Sequence, residues 1–212
     1  MKKFTRIALE RHIAQHTTSA KTLDIGSYGG SSYKSYFPNL TGMDIRPGPG
    51  VDVVGSVYEM PFPDATFETI LCISALEHFE EPQKAVDEML RILKPGGTAL
   101  IQVPLLFPVH DAPGDYWRFT SYGLKSLFKR WTVVSIDAEN HGLKAVGSLL
   151  QRLGFQTTTY GGRLGKIIIY SLAWLFYHAP NLIKKTYGGI ERRTEESGAF
   201  ATTYFMVAQK PE

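Results

Sequence analysis

The sequence has one cysteine, Cys72, among 212 residues, so no disulfide can form within the chain and no oxidising compartment is implied. Set in the apolar run Ile70-Leu71-Cys72-Ile73, that thiol is expected to be buried. Charge of one sign is also scarce, since 23 basic against 20 acidic residues leave a formal +3. The excess is scattered, with no basic stripe interleaved with aromatics, and no nucleic-acid partner is expected. Long hydrophobic runs are missing too. Lys2 and Lys3 are not followed by the apolar stretch and small-residue cleavage site of a signal peptide. The longest apolar run, residues 167–177, is about half of the roughly 20 residues that span a bilayer. A polar leading helix and a cytoplasmic location follow as expectations. There are no internal repeats or low-complexity tracts. The apolar content of 43% suffices for one sizeable core but the chain is too short for two full catalytic domains. Residues 1–212 are therefore expected to form a single domain with an elaboration.

Periodicity places the elements. Residues 4–16 read as an amphipathic helix with Phe4, Ile7, Ala8 and Ile13 inward. Short apolar or alternating runs near 22–25, 40–45, 51–54, 68–74 and 98–103 read as strands. Between the last two, Pro82 opens a helix whose stripe is Ala85, Val86, Met89, Leu90 and Leu93, and Lys94-Pro95-Gly96-Gly97 closes it. A helix at 121–129, a strand at 132–137 and an alternating run at 200–208 complete the pattern. Strands alternating with helices predict an α/β fold, Rossmann-like, with a mostly parallel seven-stranded sheet and helices on both faces. A helical insertion at 141–197, with helices near 143–153 and 167–176, precedes the last strand.

The first strand carries the strongest chemical signal. Thr22-Leu23-Asp24-Ile25-Gly26-Ser27-Tyr28-Gly29-Gly30 reads as a strand, a glycine-rich turn and a helix start. Thr41-Gly42-Met43-Asp44-Ile45 reads as a strand with a carboxylate at its tip. Bare backbone admits a ligand closely, and such a carboxylate can accept both hydroxyls of a ribose. A pyrophosphate-bearing dinucleotide would require glycine at 26, 28 and 31. Those positions are Gly26, Tyr28 and Ser31, so a nicotinamide or flavin dinucleotide is not expected.

The pattern Asp24-x-Gly26-x-x-x-Gly30 resembles the first motif of the class I S-adenosylmethionine-dependent methyltransferases. Further stretches resemble the branch known as the type-11 methyltransferase domain: Val51-Asp52-Val53-Val54-Gly55-Ser56-Val57, then Phe67-Glu68-Thr69-Ile70-Leu71-Cys72-Ile73-Ser74-Ala75-Leu76-Glu77-His78, then Met89-Leu90-Arg91-Ile92-Leu93-Lys94-Pro95-Gly96-Gly97. The likeness covers residues 20–140, about one domain. It implies S-adenosylmethionine as cofactor. Asp24 and the turn from Gly26 to Gly30 would hold its methionine part, and Asp44 its ribose. Ile45 would pack on adenine, Ser56 and Val57 would read the adenine edge, and backbone at Ser74 would help hold the amino group. Two departures stand out. Tyr28 replaces a usual glycine and would lie against the cofactor or close over it. Ser56 replaces a usual aspartate, and a hydroxyl accepts a weaker hydrogen bond than a carboxylate. Both imply weaker cofactor binding.

The loop from Pro104 to Thr120 lacks periodicity yet concentrates aromatics, His110, Asp115 and Arg118. At the ligand end of a sheet it suits a lid or acceptor pocket, against the alternative that Asp115 and Arg118 pair to brace the loop while the aromatics fill the core. A base is needed where the acceptor is a hydroxyl, and His110 is assigned that role, with Asp115 orienting it or acting as a second base. His78 competes but is read as structural or cofactor-side. A cation on Glu77, His78, His110, Asp111 and Asp115 lacks tight ligand spacing, and no metal ligands are assigned. The expected function is methyl transfer, at oxygen, to a small-molecule or glycan- or lipid-like acceptor. The second reading is a catalytically silent binding or scaffold protein of the same fold. Residues 166–180, with Lys166, Lys184, Lys185, Arg192 and Arg193 nearby, are read as a helical cap buried on their own domain, ahead of a membrane surface, an acceptor cover or a dimer contact.

Overall fold

A computed structural model of the protein describes all residues except 1, 30–32, 180–181, 184–186, 190–193 and 196–197. Near-continuous apolar runs make the central strands, because a parallel sheet covered on both faces has no wet side. β1 (Thr22–Ile25) is buried throughout, and β4 (Phe67–Ile73) and β5 (Leu93–Pro104) nearly so. With β2 (Leu40–Asp44), β3 (Val53–Val54), β6 (Thr132–Glu139) and β9 (Thr203–Gln209) they form a seven-stranded sheet in the order β3-β2-β1-β4-β5-β9-β6. β9 runs antiparallel to both β5 and β6, and the pairs among β1 to β5 are parallel. β1 lies between β2 and β4, so the strand order reverses there and a crevice opens at the carboxyl ends.

One face carries α2 (Pro82–Ile92), whose Ala85, Val86, Met89 and Leu90 are buried, and α3 (Ser121–Leu127), capped by the Thr120 side chain accepting from Gly123 N. The stretch Lys94-Pro95-Gly96-Gly97, expected to end the helix, instead begins β5. Pro95 cannot extend a helix, and Gly96, at φ +70°, returns the chain to pair with Lys210.

The opposite face is filled by α1 (Phe4–Gln15) together with Tyr33, Phe37, Leu40, Leu71, Leu100, Phe205 and Val207. Its buried stripe is Phe4, Ala8, Leu9 and Ile13, whereas Ile7 is exposed. Three of the four expected positions are buried, and Leu9 replaces Ile7 because it joins the cluster of Phe37 and Phe205 on the sheet. The helix expected after β1 is absent among the described residues, where turns at 33–36 bring Tyr33 and Phe37 into the core instead.

Two long helices follow β6: α4 (Leu143–Gln156) and α5 (Gly162–His178). They approach closely because Gly147 and Gly154 have no side chain. A Cβ at Gly147 would meet Ala173 O at 2.6 Å, and one at Gly154 would meet the Tyr170 ring at 2.6 Å. α5 fully buries only Ala173 and leaves Leu164, Ile167, Ile168, Leu172, Trp174 and Leu175 exposed. The reading of this segment as a cap buried on its own domain is therefore corrected: α5 packs on α4, and its outer face is open. A short antiparallel ribbon, β7 (Tyr187–Gly189) and β8 (Thr194–Glu195), follows it. Lys184, Lys185, Arg192 and Arg193 lie outside the described residues. Among the described residues no helix is long and apolar enough to cross a membrane.

Candidate active site

The crevice is built by three strand ends. After β1, Gly26 turns at φ +82°, and a Cβ there would meet Ala75 Cβ at 2.9 Å. Its N–H and that of Ser27 donate to Met43 O at 2.9 and 3.2 Å, which ties the turn to β2. Asp44, at the tip of β2, accepts from Tyr28 N at 3.3 Å and Arg46 N at 3.0 Å. Tyr28 lies against Gly48, where a Cβ would be 2.5 Å from its ring, and the Arg46 guanidinium sits 4.4 Å over its ring centre. The tyrosine that departs from the glycine pattern is thus one wall of the site, not a plug in it.

These residues enclose a cavity of about 520 Å³ lined by Gly26, Tyr28, Asp44, Ile45, Ser56, Val57, Ser74, His78 and Asp111, among others. Ile45 is 72% exposed, an apolar side chain open to a flat ligand. The Ser56 hydroxyl accepts from Tyr58 N at 3.2 Å, holding the β3 turn. Asp24 is buried within β1 and does not line the cavity, while Gly30 lies outside the described residues. Ser74 follows β4 in a left-handed conformation, φ +52°, which for a residue with a side chain persists only when its surroundings impose it. Gln102 imposes it here: its backbone oxygen accepts from Ser74 N at 2.9 Å and its side-chain oxygen from Ser74 Oγ at 3.0 Å.

Gln102 continues inward. Its Nε2 donates to Glu139 Oε2 at 2.5 Å, which also accepts from Thr203 Oγ1 at 2.7 Å. Gln102, Glu139 and Thr203 were missed in the sequence, although polar residues in otherwise apolar strands were the available signal. Burial, opposed by the Thr203 and Gln102 hydrogen bonds, raises the Glu139 pKa. The folded protein therefore holds this proton more tightly than the unfolded chain does. The stabilisation is complete below the ordinary carboxylate range and is lost as pH rises through the raised pKa. Glu139→Gln keeps an acceptor for Gln102 and Thr203 and is expected to show a smaller fall in melting temperature between pH 5 and pH 9 than wild type. An unchanged fall would assign the pH dependence to other groups.

Beside the crevice, a cavity of about 230 Å³ is lined by Glu77, His110, Phe107 and Arg152, and it shares Ser74, His78 and Asp111 with the crevice. His110 N donates to Asp115 Oδ2 at 2.9 Å, and Nδ1 lies 3.2 Å from that oxygen and 3.3 Å from Pro108 O. Burial lowers the His110 pKa. Asp115 is gripped by both Arg118 terminal nitrogens at 2.6 Å, and this pairing holds its carboxyl well below the usual range. Arg152 is half-buried, its Nε has no hydrogen-bond partner, and its guanidinium lies 4.2 Å from the Phe107 ring centre. Beyond the loop, Pro108, Val109, Val146, Leu149, Leu150 and Leu153 line an apolar groove of about 640 Å³.

Residues 23–101 match the family described as methyltransferase domain. A ubiquinone/menaquinone biosynthesis C-methyltransferase of Yersinia enterocolitica is 30% identical over 51% of this chain and 47% of its own length. The chain thus spans about half the length of the curated relatives that it matches. Among solved structures, the [4+2]-cyclase SpnF superposes with a TM-score of 0.60 at 14% identity, over 98% of this chain and 81% of that one. The Burkholderia thailandensis 1,6-didemethyltoxoflavin-N1-methyltransferase, solved with its substrate and S-adenosylhomocysteine, superposes with a TM-score of 0.55 at 17% identity, over 99% of this chain and 79% of that one. The strand order, the crevice at its reversal and the match over residues 23–101 agree: this part of the chain is similar to a methyltransferase domain, on the fold that these solved neighbours share.

Proposed function

We propose that the chain binds S-adenosylmethionine in the crevice and catalyses methyl transfer to an oxygen of an apolar small molecule held in the adjoining cavity. The observation that carries this reading is Asp44 at the tip of β2, lining one cavity with the bare turn at Gly26 and the open apolar face of Ile45. The residues present suit the cofactor: Asp44 the ribose hydroxyls, Ile45 the adenine face, Ser56 and Val57 its edge, and Gly26 and Ser74 the amino-acid end. When bound, the cofactor supplies a methyl group on a sulfonium, whose sulfur leaves with the C–S electron pair.

The chain's own part is positioning and proton handling. With Nδ1–H held by Pro108 O and Asp115, His110 presents Nε2 to the acceptor cavity. Burial keeps the imidazole neutral, so it can take the hydroxyl proton as the new O–C bond forms. Asp115, held ionised by Arg118, suits the orienting role rather than that of a second base. Arg152 beside the same cavity favours an acceptor with an acidic or phenolic oxygen, and the groove along α4 suits an apolar tail, lipid-like rather than glycan-like. The Yersinia relative's name makes carbon the competing methylated atom. The cyclase neighbour makes a non-methylating member of the fold the competing function. The outer face of α5 is suited to a membrane surface or a dimer contact.

Titration calorimetry with S-adenosylmethionine, S-adenosylhomocysteine and NAD is the direct test. Micromolar binding of the first two without the third is expected, and no binding of any of them would sink the reading. In an acceptor screen read by S-adenosylhomocysteine release, His110→Ala is expected to lower kcat on the order of 100-fold. The wild-type acid limb is expected below the free-imidazole value of about 6.5 and should disappear in the variant. An unchanged rate would remove His110 from proton handling.

A further inference from the structure

Three groups converge where the two cavities meet. Glu77 and His78 lie on the 3-10 turn Leu76–His78 that follows β4, and His110 comes from the loop after β5. Glu77 is fully buried, and neither of its carboxylate oxygens has a hydrogen-bond partner. His78 Nδ1 lies 2.6 Å from Gly114 O, so it carries the proton and Nε2 is a bare lone pair. The same argument applies to His110, whose Nδ1 faces Pro108 O and Asp115. Both Nε2 atoms stand 3.9 Å from Glu77 Oε1.

The two Nε2 atoms and the buried Glu77 carboxyl, whose pKa burial pushes up to about 8, therefore face one another inside the protein with no hydrogen bond joining them. A single proton could serve only one pair, and 3.9 Å is beyond hydrogen-bond reach. A cation serves all three. The ligating atoms lie within 4.8 Å of one another, and each imidazole already has its far nitrogen on a carbonyl or carboxylate, the arrangement that orients a metal-bound histidine. Two histidines and one carboxylate suit zinc or iron(II) and leave coordination positions free.

We infer that Glu77, His78 and His110 form a binding site for a divalent transition metal, with its open positions facing the acceptor cavity. The site stands on its own geometry. Its use rests on the methyl-transfer reading and changes one part of it: with the cation on its Nε2, His110 is a ligand and no longer the base, and an acceptor oxygen bound to the cation loses its proton to solvent on coordination.

The test begins with chelator-stripped full-length protein titrated with Zn²⁺ by calorimetry and with Co²⁺ by visible absorption. One equivalent per chain is expected, with cobalt bands that zinc displaces. Glu77→Gln and His78→Asn are each expected to weaken binding 100-fold or more, with circular dichroism reporting that they fold. Wild-type protein that takes up neither metal overturns the site, and so do folded variants that bind as tightly as wild type. S-adenosylhomocysteine titrated into the same samples separates the two readings. Metal uptake without it upholds the site and sinks methyl transfer, and the reverse sinks only the site. Addition of 3,4-dihydroxybenzoate, a phenolic acid probe, is expected to shift the cobalt bands, and unchanged bands would overturn the open positions.

Discussion

Asp44→Ala is expected to weaken S-adenosylhomocysteine binding on the order of 1000-fold. A ribose offers two hydroxyl donors to one carboxylate, and hydrogen bonds to a charged group each contribute roughly 1.5–3 kcal/mol. Their joint loss, about 4 kcal/mol, is three powers of ten in affinity. Asp44 also accepts from Tyr28 N and Arg46 N, so its removal frees the wall that Tyr28 and Arg46 form as well as the ribose anchor. Asp44→Asn keeps one acceptor oxygen and is expected to fall between the two. Calorimetric titration of the three proteins decides the matter, and wild-type affinity in Asp44→Ala would mean that the ligand does not lie along β2.

The second large effect is expected in stability. The loop carrying Ile45, Arg46 and Gly48 folds back over Gly42, whose missing side chain leaves the necessary space: a Cβ there would be 1.9 Å from Gly50 O and 2.7 Å from Ser27 Oγ. The loop is fastened by Asp52, which donates from its N–H to Gly42 O at 2.8 Å and accepts Gly42 N at 2.7 Å. A backbone oxygen cannot rotate aside as a flexible side chain would, so Gly42→Ala must displace the loop or break this pair. The expected cost is about 3 kcal/mol, a fall in melting temperature of roughly 6–12 °C for a chain of this size. Thermal denaturation followed by circular dichroism measures it. A melting temperature within a degree of wild type would mean that the loop does not cross Gly42 in solution.

Both predictions concern one edge of the crevice, and they separate its two tasks. On the proposed reading Asp44 holds the ligand, whereas Gly42 leaves room for the backbone that places Ile45 and Arg46. The two variants are expected to differ accordingly: Asp44→Ala loses affinity with little change in melting temperature, and Gly42→Ala loses both.

The sheet and the crevice at its strand ends were legible in the chain because their signals are local. A buried parallel strand must be apolar along its length, as β1 and β4 are, and a turn that admits a ligand must be glycine, as Gly26 is. Asp44 could be read at its strand tip for the same reason. The helix ends were less legible where two local rules competed: Pro95 and Gly96 mark a stop, yet pairing with Lys210 draws them into β5. In α1 only the exchange of Ile7 for Leu9 was missed, because Leu9 meets Phe37 and Phe205, residues far along the chain that no helical period contains.

The smaller cavity beside the crevice was legible only as a list of residues. His110, Asp115 and Arg118 stood out by type, and the grip of Arg118 on Asp115 joins neighbours three residues apart in one loop, but the Ser74–Gln102–Glu139 chain and the unpaired Glu77 between two histidines join residues from different strand ends. Tight ligand spacing was missing because the ligating groups come from two segments that the sheet brings together. By itself, then, the sequence determined which strands must be buried and which turn must be bare, since burial and backbone freedom are properties of single residues and their immediate neighbours. Tertiary structure alone decided which polar groups meet and which tautomers face inward, because those depend on distances of a few ångströms between atoms far apart along the chain.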